Sequence, residues 1–329
     1  MKISVLGAGS WGTTLGQVLT DNGHNVLLWH RNKEFVEKVS QTRKHPLLNN
    51  YTLGDSLNIT ASLVEIADHA EIILNAIPTQ SVRQVFTQIK ITNIPIITSS
   101  KGIECHTGKR VSEIISECLG VDISKIVILS GPSHAEEVIR KCPTTVVSAC
   151  INIELARSIQ NLFSNEYFRV YSSDDIVGVE IGAAAKNIIA LAAGICIGLN
   201  FGDNTIAALI SRGLEEITRL GAKLGARRTT FSGLSGVGDL VVTAFSKHSR
   251  NREVGERIGK GETLDSILSS MPMVAEGVET TRSIYELKRS YKIEMPICDQ
   301  IYSVLFEQKS ARTAIMDLME RDLIDEHPI

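Results

Sequence analysis

The sequence is poor in aromatic residues (5%), has only six cysteines, and shows no excess of charge of either sign. No two cysteines form a C-x-x-C pair, and their spacing matches neither a zinc site nor a compact disulfide framework. The 34 lysine and arginine residues against 37 aspartate and glutamate residues argue against a nucleic-acid-binding protein. The longest apolar run, 188–199, is shorter than the roughly 20 residues that cross a bilayer. We therefore expect free thiols, no metal, no nucleic-acid partner, no membrane insertion and a cytoplasmic location.

The chain is long and apolar enough for two domains, with 329 residues of which 43% are hydrophobic. In the first half, short β-branched runs alternate with helical patterns. Three of the runs are almost continuously apolar, as in a parallel sheet with helices on both faces. This alternation predicts a doubly wound α/β domain. The predicted strands are 3–6, 26–29, 72–76, 96–99, 127–130, 145–148 and 169–171.

Local signals predict where several helices of this half begin and end. Ser62, Ser81 and Ser133 are each followed three residues later by Glu or Gln, the spacing of a capping box that satisfies backbone donors at a helix start. Asn22-Gly23 suits a left-handed turn that ends the first helix. Each serine is therefore expected to cap a helix.

The second half has a helical pattern, because strand-like runs disappear from about residue 174. We predict an α/β domain over 1–175 and an all-α domain over 176–329, in which a substrate would bind. The predicted helices are 176–199, 204–224, 249–259, 263–270, 277–289 and 294–307.

A glycine-rich turn follows the first predicted strand directly. Gly7 permits the tight turn, Gly9 lets the backbone approach a pyrophosphate, and Gly12 lets the helix pack closely on the strand. The start of that helix offers free N–H groups to phosphates. A lone G-x-G-x-x-G is weak evidence, but its place between a strand and a helix predicts a Rossmann-type domain that binds NAD(H) or NADP(H).

The end of the second predicted strand bears on the choice of cofactor. NAD-binding domains commonly have a carboxylate there for the ribose 2′-hydroxyl, but this chain has none until Glu34. Arg31 could instead pair with a 2′-phosphate, which favours NADPH. The alternative is a solvated loop arginine.

Lys186 interrupts a helix of small and apolar residues and is expected to face the cleft between the domains. A second cation, Lys101, follows the strand at 96–99. Burial beside another cation would lower the pKa of Lys186 toward the working pH, as general acid–base catalysis requires. The alternative is a lysine whose ammonium reaches solvent from a buried helix.

Other polar groups lie at strand ends and helix starts. Gly131 and Ser133 follow the strand at 127–130, where open α/β sheets bind ligands, although Ser133 could simply cap a helix. Asp239 follows a glycine-rich turn and could orient Lys186, bind a substrate hydroxyl, or only cap a turn. The segment 249–251 combines a hydroxyl, a guanidinium and an amide at a predicted helix start, which suits a phosphate.

Six segments in order resemble the NAD(P)-dependent sn-glycerol-3-phosphate dehydrogenases of the bacterial soluble type. The similarity runs almost from end to end of the chain. It implies reversible reduction of dihydroxyacetone phosphate to sn-glycerol 3-phosphate by NAD(P)H, for phospholipid synthesis. The segments are GAGSWGT, SSKGI, SGPSHAEEV, GAAAKN, GDLVVTAFSKHSRN and VAEGVETT.

The resemblance also implies a set of site residues. Lys186 would donate and accept the proton, Asp239 would hold its ammonium in place, and Lys101 would add electrostatic stabilisation. The residues expected at the cofactor are Ser10, Trp11, Arg31, Lys101, Ala135, Arg250, Val274 and Glu276. Those expected at the triose phosphate are Lys101, Gly131, Ser133, Lys186, Asp239, Ser249, Arg250 and Asn251.

Two other functions remain open at this point. A related dehydrogenase acting on a 2-hydroxy acid or sugar acid would bind a carboxylate and need no phosphate anchor. A dinucleotide-binding regulator without activity would have no reason to keep Lys101, Lys186 and Asp239 together. The small-residue helices of the second half suit a homodimer, but a self-contained core explains them equally well.

Overall fold

The computed structural model describes residues 1–48, 51–91, 93–271, 275–323 and 325–326. Eight strands form one sheet, and their order across it is β3-β2-β1-β4-β5-β6-β7-β8. All neighbouring pairs in this order are parallel except β6 with β7. The strands are β1 (Lys2–Leu6), β2 (Asn25–Trp29), β3 (Leu57–Thr60), β4 (Ile72–Asn75), β5 (Ile96–Thr98), β6 (Ile126–Ser130), β7 (Thr144–Ala149) and β8 (Phe168–Ser173).

Helices cover both faces of the sheet, which confirms the doubly wound α/β prediction. Successive side chains of a strand point to opposite faces, so Ile72 and Leu74 enter one core cluster and Ile73 the other. The helices of this half are α1 (Ser10–Asp21), α2 (Lys33–Thr42), α3 (Leu63–His69), α4 (Val82–Phe86), α5 (Val111–Leu119), α6 (Ala135–Val138) and α7 (Ile153–Phe163).

The second half is helical in the described residues, as predicted, and the proposed boundary at residue 175 falls between β8 and the next helix. Asp175 caps that helix by accepting a hydrogen bond from the backbone N–H of Gly178 (2.9 Å). The helices are α8 (Ile176–Gly198), α9 (Asp203–Lys223), α10 (Asp239–Phe245), α11 (Arg250–Gly259), α12 (Leu264–Ser270), α13 (Glu276–Ser290), α14 (Pro296–Phe306) and α15 (Ala311–Met319).

Helix α8 is the central helix of this half, and α9, α10, α11 and α13 pack around it. It is long and apolar enough to cross a membrane, but 89% of its most apolar 18-residue stretch is buried inside the protein. A Cβ on Gly194 would lie 2.0 Å from the carbonyl oxygen of Arg252, and one on Gly255 would lie 2.0 Å from that of Leu191. The small residues of α8 therefore let the backbone of α11 approach closely, which fixes α11 against the helix that carries Lys186.

Two predicted helix caps are wrong and one is correct. Ser62 accepts a hydrogen bond from the backbone N–H of Glu65, as predicted. Ser81 makes no cap hydrogen bond, because its backbone is already helical at the end of a 3₁₀ turn, whereas a capping residue is extended. Ser133 does not cap α6 either, since His134 occupies the capping position and the Ser133 hydroxyl donates to the Gly131 carbonyl (2.9 Å).

The structure also contains elements that the patterns did not predict. Strand β3 has only four residues at the edge of the sheet, and helices α10 and α15 were missed. The antiparallel direction of β7 follows from its connection: α6 has a single turn, and the chain returns beside β6 without a full crossover helix.

Candidate active site

A carboxylate between two ammonium groups forms the centre of the candidate site. Lys186 lies in the middle of α8, Asp239 is the first residue of α10, and Lys101 follows β5. The Lys101 Nζ atom donates to Asp239 Oδ2 (2.7 Å), and the Lys186 Nζ atom donates to Asp239 Oδ1. Lys186 also donates to Thr243 Oγ1 (2.6 Å). One carboxylate thus connects the sheet half to the helical half.

Burial controls the charge of this group. Lys186 is 5% exposed and Asp239 is 1% exposed. The pKa of Lys186 is lowered to about 7, because desolvation and the charge of Lys101, which lower it, together outweigh Asp239, which raises it. Burial alone would raise the pKa of Asp239, but Lys101 and Lys186 hold it below its usual value. The site therefore combines an ionised carboxylate with an amine that can gain or lose a proton near neutral pH.

The turn after β6 contributes a second wall of the site. Gly131 has φ +150°, and a Cβ there would lie 2.9 Å from Val146 Cα, so a larger residue does not fit. Its carbonyl oxygen accepts hydrogen bonds from Lys101 Nζ (3.0 Å) and from the Ser133 hydroxyl. Asn187 Nδ2 donates to the Lys101 carbonyl (3.4 Å). These bonds hold Lys101 against both Asp239 and the turn.

The start of α11 carries the three residues predicted to bind a phosphate. The Ser249 hydroxyl caps α11 by accepting from the backbone N–H of Arg252 (3.2 Å), and Asn251 Oδ1 accepts from the backbone N–H of Gly277 (2.9 Å). In both bonds the side-chain oxygen is the acceptor. The Ser249 O–H group and the Asn251 Nδ2 group, which are the donors that an anion would bind, take no part in them. Arg250 is exposed to water, yet the protein around it lowers its pKa by desolvation, which Glu276 and Glu136 oppose.

The glycine turn has the geometry that a dinucleotide requires. Gly7 has φ +105°, and a Cβ on Gly12 would lie 2.0 Å from the Gly7 carbonyl oxygen. A Cβ on Gly9 would meet no described atom within 4 Å, so its backbone faces open space at the start of α1. Gly7 and Gly12 therefore build the turn, while Gly9 leaves room for a phosphate.

Four other predicted cofactor residues lie around this turn or at the start of α13. Ser10 is the first residue of α1, and Trp11 packs in a small apolar cluster that contains Ala135. Glu276 Oε1 accepts from the backbone N–H of Thr79 (2.9 Å), and burial raises the pKa of Glu276. Val274 lies outside the described residues.

Arg31 does not join the lysine cluster. It is exposed after β2, and the sheet order places β2 three positions from β5, the strand that precedes Lys101. That separation suits a long ligand with its adenosine end at β2 and its reactive end near Lys101.

Comparison with known proteins assigns a family. A model described as NAD-dependent glycerol-3-phosphate dehydrogenase N-terminus matches residues 2–156, and the corresponding C-terminus model matches residues 175–316. The chain belongs to the NAD-dependent glycerol-3-phosphate dehydrogenase family. The resemblance seen in its motifs is thereby confirmed, and so is its classification as an oxidoreductase.

Relatives in this family match the chain over its whole length. Glycerol-3-phosphate dehydrogenase (NAD(P)+) of Lysinibacillus sphaericus is 48% identical over 99% of this chain and 98% of its own. The protein of the same name from Prosthecochloris aestuarii is 50% identical over 98% of each chain. The crystal structure of glycerol-3-phosphate dehydrogenase from Coxiella burnetii has a TM-score of 0.92 and is 33% identical, covering 97% of this chain and 98% of that one.

Two polar residues of the site were not among the predicted ones. Thr243 lies four residues after Asp239, so both side chains lie on one face of α10 and reach Lys186. Asn187 adjoins Lys186 and bonds back to the Lys101 backbone. The i, i+4 spacing was a usable signal for Thr243.

No group of three or more potential metal ligands occurs among the described residues.

Proposed function

We propose that the chain reduces dihydroxyacetone phosphate reversibly to sn-glycerol 3-phosphate with NADPH or NADH. Family membership supports the reaction class, and the buried contact of Lys186 with Asp239 is the observation that carries the assignment to this site. A dinucleotide-binding regulator would need no such pair of buried charges, whose desolvation costs free energy.

In this proposal, Lys186 transfers the proton to and from the substrate oxygen. Reduction places negative charge on the oxygen of a carbonyl group, and an ammonium beside it can give up a proton to that oxygen. The lowered pKa of Lys186 makes this transfer easier than for an ordinary lysine. Lys101 adds a positive charge, and Asp239 holds both amines in place.

The start of α11 orients the substrate in this proposal. Ser249, Arg250 and Asn251 would hold the phosphate, because a guanidinium and the first N–H groups of a helix both favour an anion. Gly131 and Ser133 would line the wall opposite Lys186. Fixing one end of a small substrate limits the positions its carbonyl can take.

The residues present fit a nicotinamide dinucleotide. Gly7, Gly9 and Gly12 form the turn, with open space beside Gly9, so Ser10 and Trp11 at the start of α1 would hold the pyrophosphate. When bound, the cofactor supplies the hydride. Arg31 would contact the adenosine ribose phosphate of NADP(H). The remaining predicted contacts are Lys101, Ala135, Arg250, Val274 and Glu276.

Oxidation of NADPH, followed in the presence of dihydroxyacetone phosphate, tests this function. We expect turnover with dihydroxyacetone phosphate and little with 2-keto acids of similar size, because the site is rich in donors for a phosphate. Faster turnover of the keto acids would assign the chain to a 2-hydroxy acid dehydrogenase. NADPH binding without turnover of either substrate would indicate a regulator.

We further propose that the protein works in the cytoplasm, where its product would feed glycerophospholipid synthesis. A homodimer stays a prediction. Light scattering of the purified protein, measured during size-exclusion chromatography, would give its mass directly, and a mass near the 35.9 kDa of one chain would contradict the dimer.

A further inference from the structure

His134 has a buried ring atom with no hydrogen-bond partner among the described residues, namely Nε2. The ring belongs to the residue that precedes α6, directly between Ser133 and Ala135. A polar atom that is shielded from water and unpartnered costs free energy, so such atoms mark places where a ligand can bind. The proposed mechanism assigns His134 no role.

The ring lies where the sheet half meets the start of α11. The His134 and His248 ring centroids are 5.9 Å apart, and His248 immediately precedes Ser249, the cap of α11. His134 therefore comes from the wall that contains Gly131, but it reaches the segment proposed to hold the phosphate. This position is at the phosphate end of the site.

The charges of Lys101 and Lys186 also act on the His134 ring. Desolvation lowers the pKa of His134, and Lys186 and Lys101 lower it further, whereas Glu136 and a hydrogen bond between the ring and the backbone of Val242 raise it. These surroundings therefore favour a neutral ring. A phosphate dianion nearby would favour the protonated ring, whose two nitrogens both donate.

We propose that His134 is a further substrate-binding residue, whose Nε2 donates a hydrogen bond to the phosphate group of dihydroxyacetone phosphate. This inference rests on the proposed function. The start of α11, in the helical half, is already proposed to hold the phosphate, and His134 adds a contact from the sheet half. The two halves would then hold the phosphate between them. A carboxylate substrate without a phosphate would not reach this contact.

Three variants separate this role from a structural one. His134→Asn removes the reach to the Nε2 position but suits the start of a helix, where Asn is favoured. His134→Gln extends an amide N–H to about the position of Nε2. His134→Phe keeps a ring without a donor, in case the Asn variant does not fold. His106→Asn is the matched control, because His106 is exposed and has φ +66°, which Asn tolerates.

The measurements are KM for dihydroxyacetone phosphate, Ki for inorganic phosphate as a competitive inhibitor, kcat, and KM for NADPH. We expect His134→Asn and His134→Phe to raise KM for dihydroxyacetone phosphate and Ki for phosphate about 10- to 100-fold, the usual effect of losing a hydrogen bond to a charged group. His134→Gln should recover most of this loss, kcat should change less, and KM for NADPH should stay the same.

Several results would overturn the inference while leaving the proposed function intact. The first is that the wild-type enzyme turns over dihydroxyacetone phosphate, but the His134→Asn and His134→Phe variants have KM values within about twofold of the wild-type value. Another is a Gln variant as impaired as the Asn variant, which would indicate packing. A third is a raised KM with an unchanged Ki for phosphate. The absence of any turnover by the wild type would instead contradict the proposed function.

Discussion

Asp239 and Glu216 are both buried carboxylates of the helical half, but their neighbours give them opposite pKa shifts. Asp239 lies between two ammonium groups, which hold its pKa below the usual value. Glu216, on α9, accepts hydrogen bonds from the backbone N–H groups of Ile297 (2.7 Å) and Cys298 (3.2 Å) at the start of α14. Burial nevertheless raises the pKa of Glu216 to about 7.

The difference shows what keeps a buried carboxylate charged. Two ammonium groups bonded directly to Asp239 overcome the cost of burying it, whereas two N–H groups and the charge of Arg219 do not overcome it at Glu216, where Asp299 adds a like charge. The first arrangement can hold an amine ready for proton transfer. The second joins two helices. We therefore expect substitutions at the Asp239 cluster to change the rate, and a substitution at Glu216 to change stability.

The largest expected effect comes from Lys186→Ala, which removes the proposed proton donor. Turnover of dihydroxyacetone phosphate should fall about 10²- to 10⁴-fold, while NADPH binding, measured by fluorescence titration, should remain largely intact. Lys223→Ala, on the exposed end of α9, is the control and should retain full activity. Near-normal turnover by the Lys186 variant would end the proposed mechanism.

Asp239→Asn should have the next largest effect, because it keeps the shape of the side chain but removes the charge shared by Lys101 and Lys186. We expect kcat to fall roughly 10- to 100-fold, since the two ammonium groups then repel each other. Steady-state kinetics with saturating NADPH checks this. An unchanged kcat would show that the carboxylate only fills space.

Arg31→Ala tests the cofactor end, away from the lysine cluster. Losing a guanidinium that pairs with the 2′-phosphate should weaken the binding of NADPH about tenfold or more and should change the binding of NADH little. Binding constants for both cofactors are compared with those of Lys33→Ala, an exposed neighbour. Equal losses for the two cofactors would instead indicate a solvated arginine without a role in cofactor choice.

Glu216→Gln should leave the rate unchanged and alter only stability. Burial raises the pKa of Glu216 in the folded state, so the unfolded state loses this proton first as the pH rises. The free energy of unfolding of the wild-type protein should therefore fall with rising pH. Glu216 should account for roughly 2 kcal/mol of this fall between about pH 5 and about pH 7.

Urea denaturation of wild type and Glu216→Gln at several pH values checks this contribution. The difference between their free energies of unfolding should change across that range. Glu215→Gln is the control, since Glu215 forms an exposed ion pair with Arg228 and such pairs contribute little. A constant difference between wild type and Glu216→Gln would show that Glu216 does not titrate there.

Much of the fold could be predicted because its signals are local. The central strands are continuous apolar runs, and seven of the eight strands were placed to within two residues at each end. Strand β3 was missed because four residues of mixed polarity at a sheet edge give no strong pattern. The direction of β7 depends on the short α6 and on packing against β6, which periodicity cannot show.

The site was predictable to a similar extent. Lys186 was identified because one charge in an apolar helix is unusual, and the glycine turn because its spacing is specific. The contact of Asp239 with Lys186 was expected, but its second contact, with Lys101, could not be foreseen, since Lys101 and Asp239 are 138 residues apart and meet only through tertiary packing. The unpartnered nitrogen of His134 likewise depends on how the folded chain shields that one atom from water.

The most direct test of the central claim is the pH dependence of kcat in both directions. If Lys186 carries the proton, reduction needs its ammonium and should slow above about pH 7, whereas oxidation of glycerol 3-phosphate needs the amine and should accelerate through the same range. Asp239→Asn should shift both limbs to lower pH, because the carboxylate raises the pKa of Lys186. Identical profiles for wild type and this variant, or flat profiles in both directions, would contradict the account.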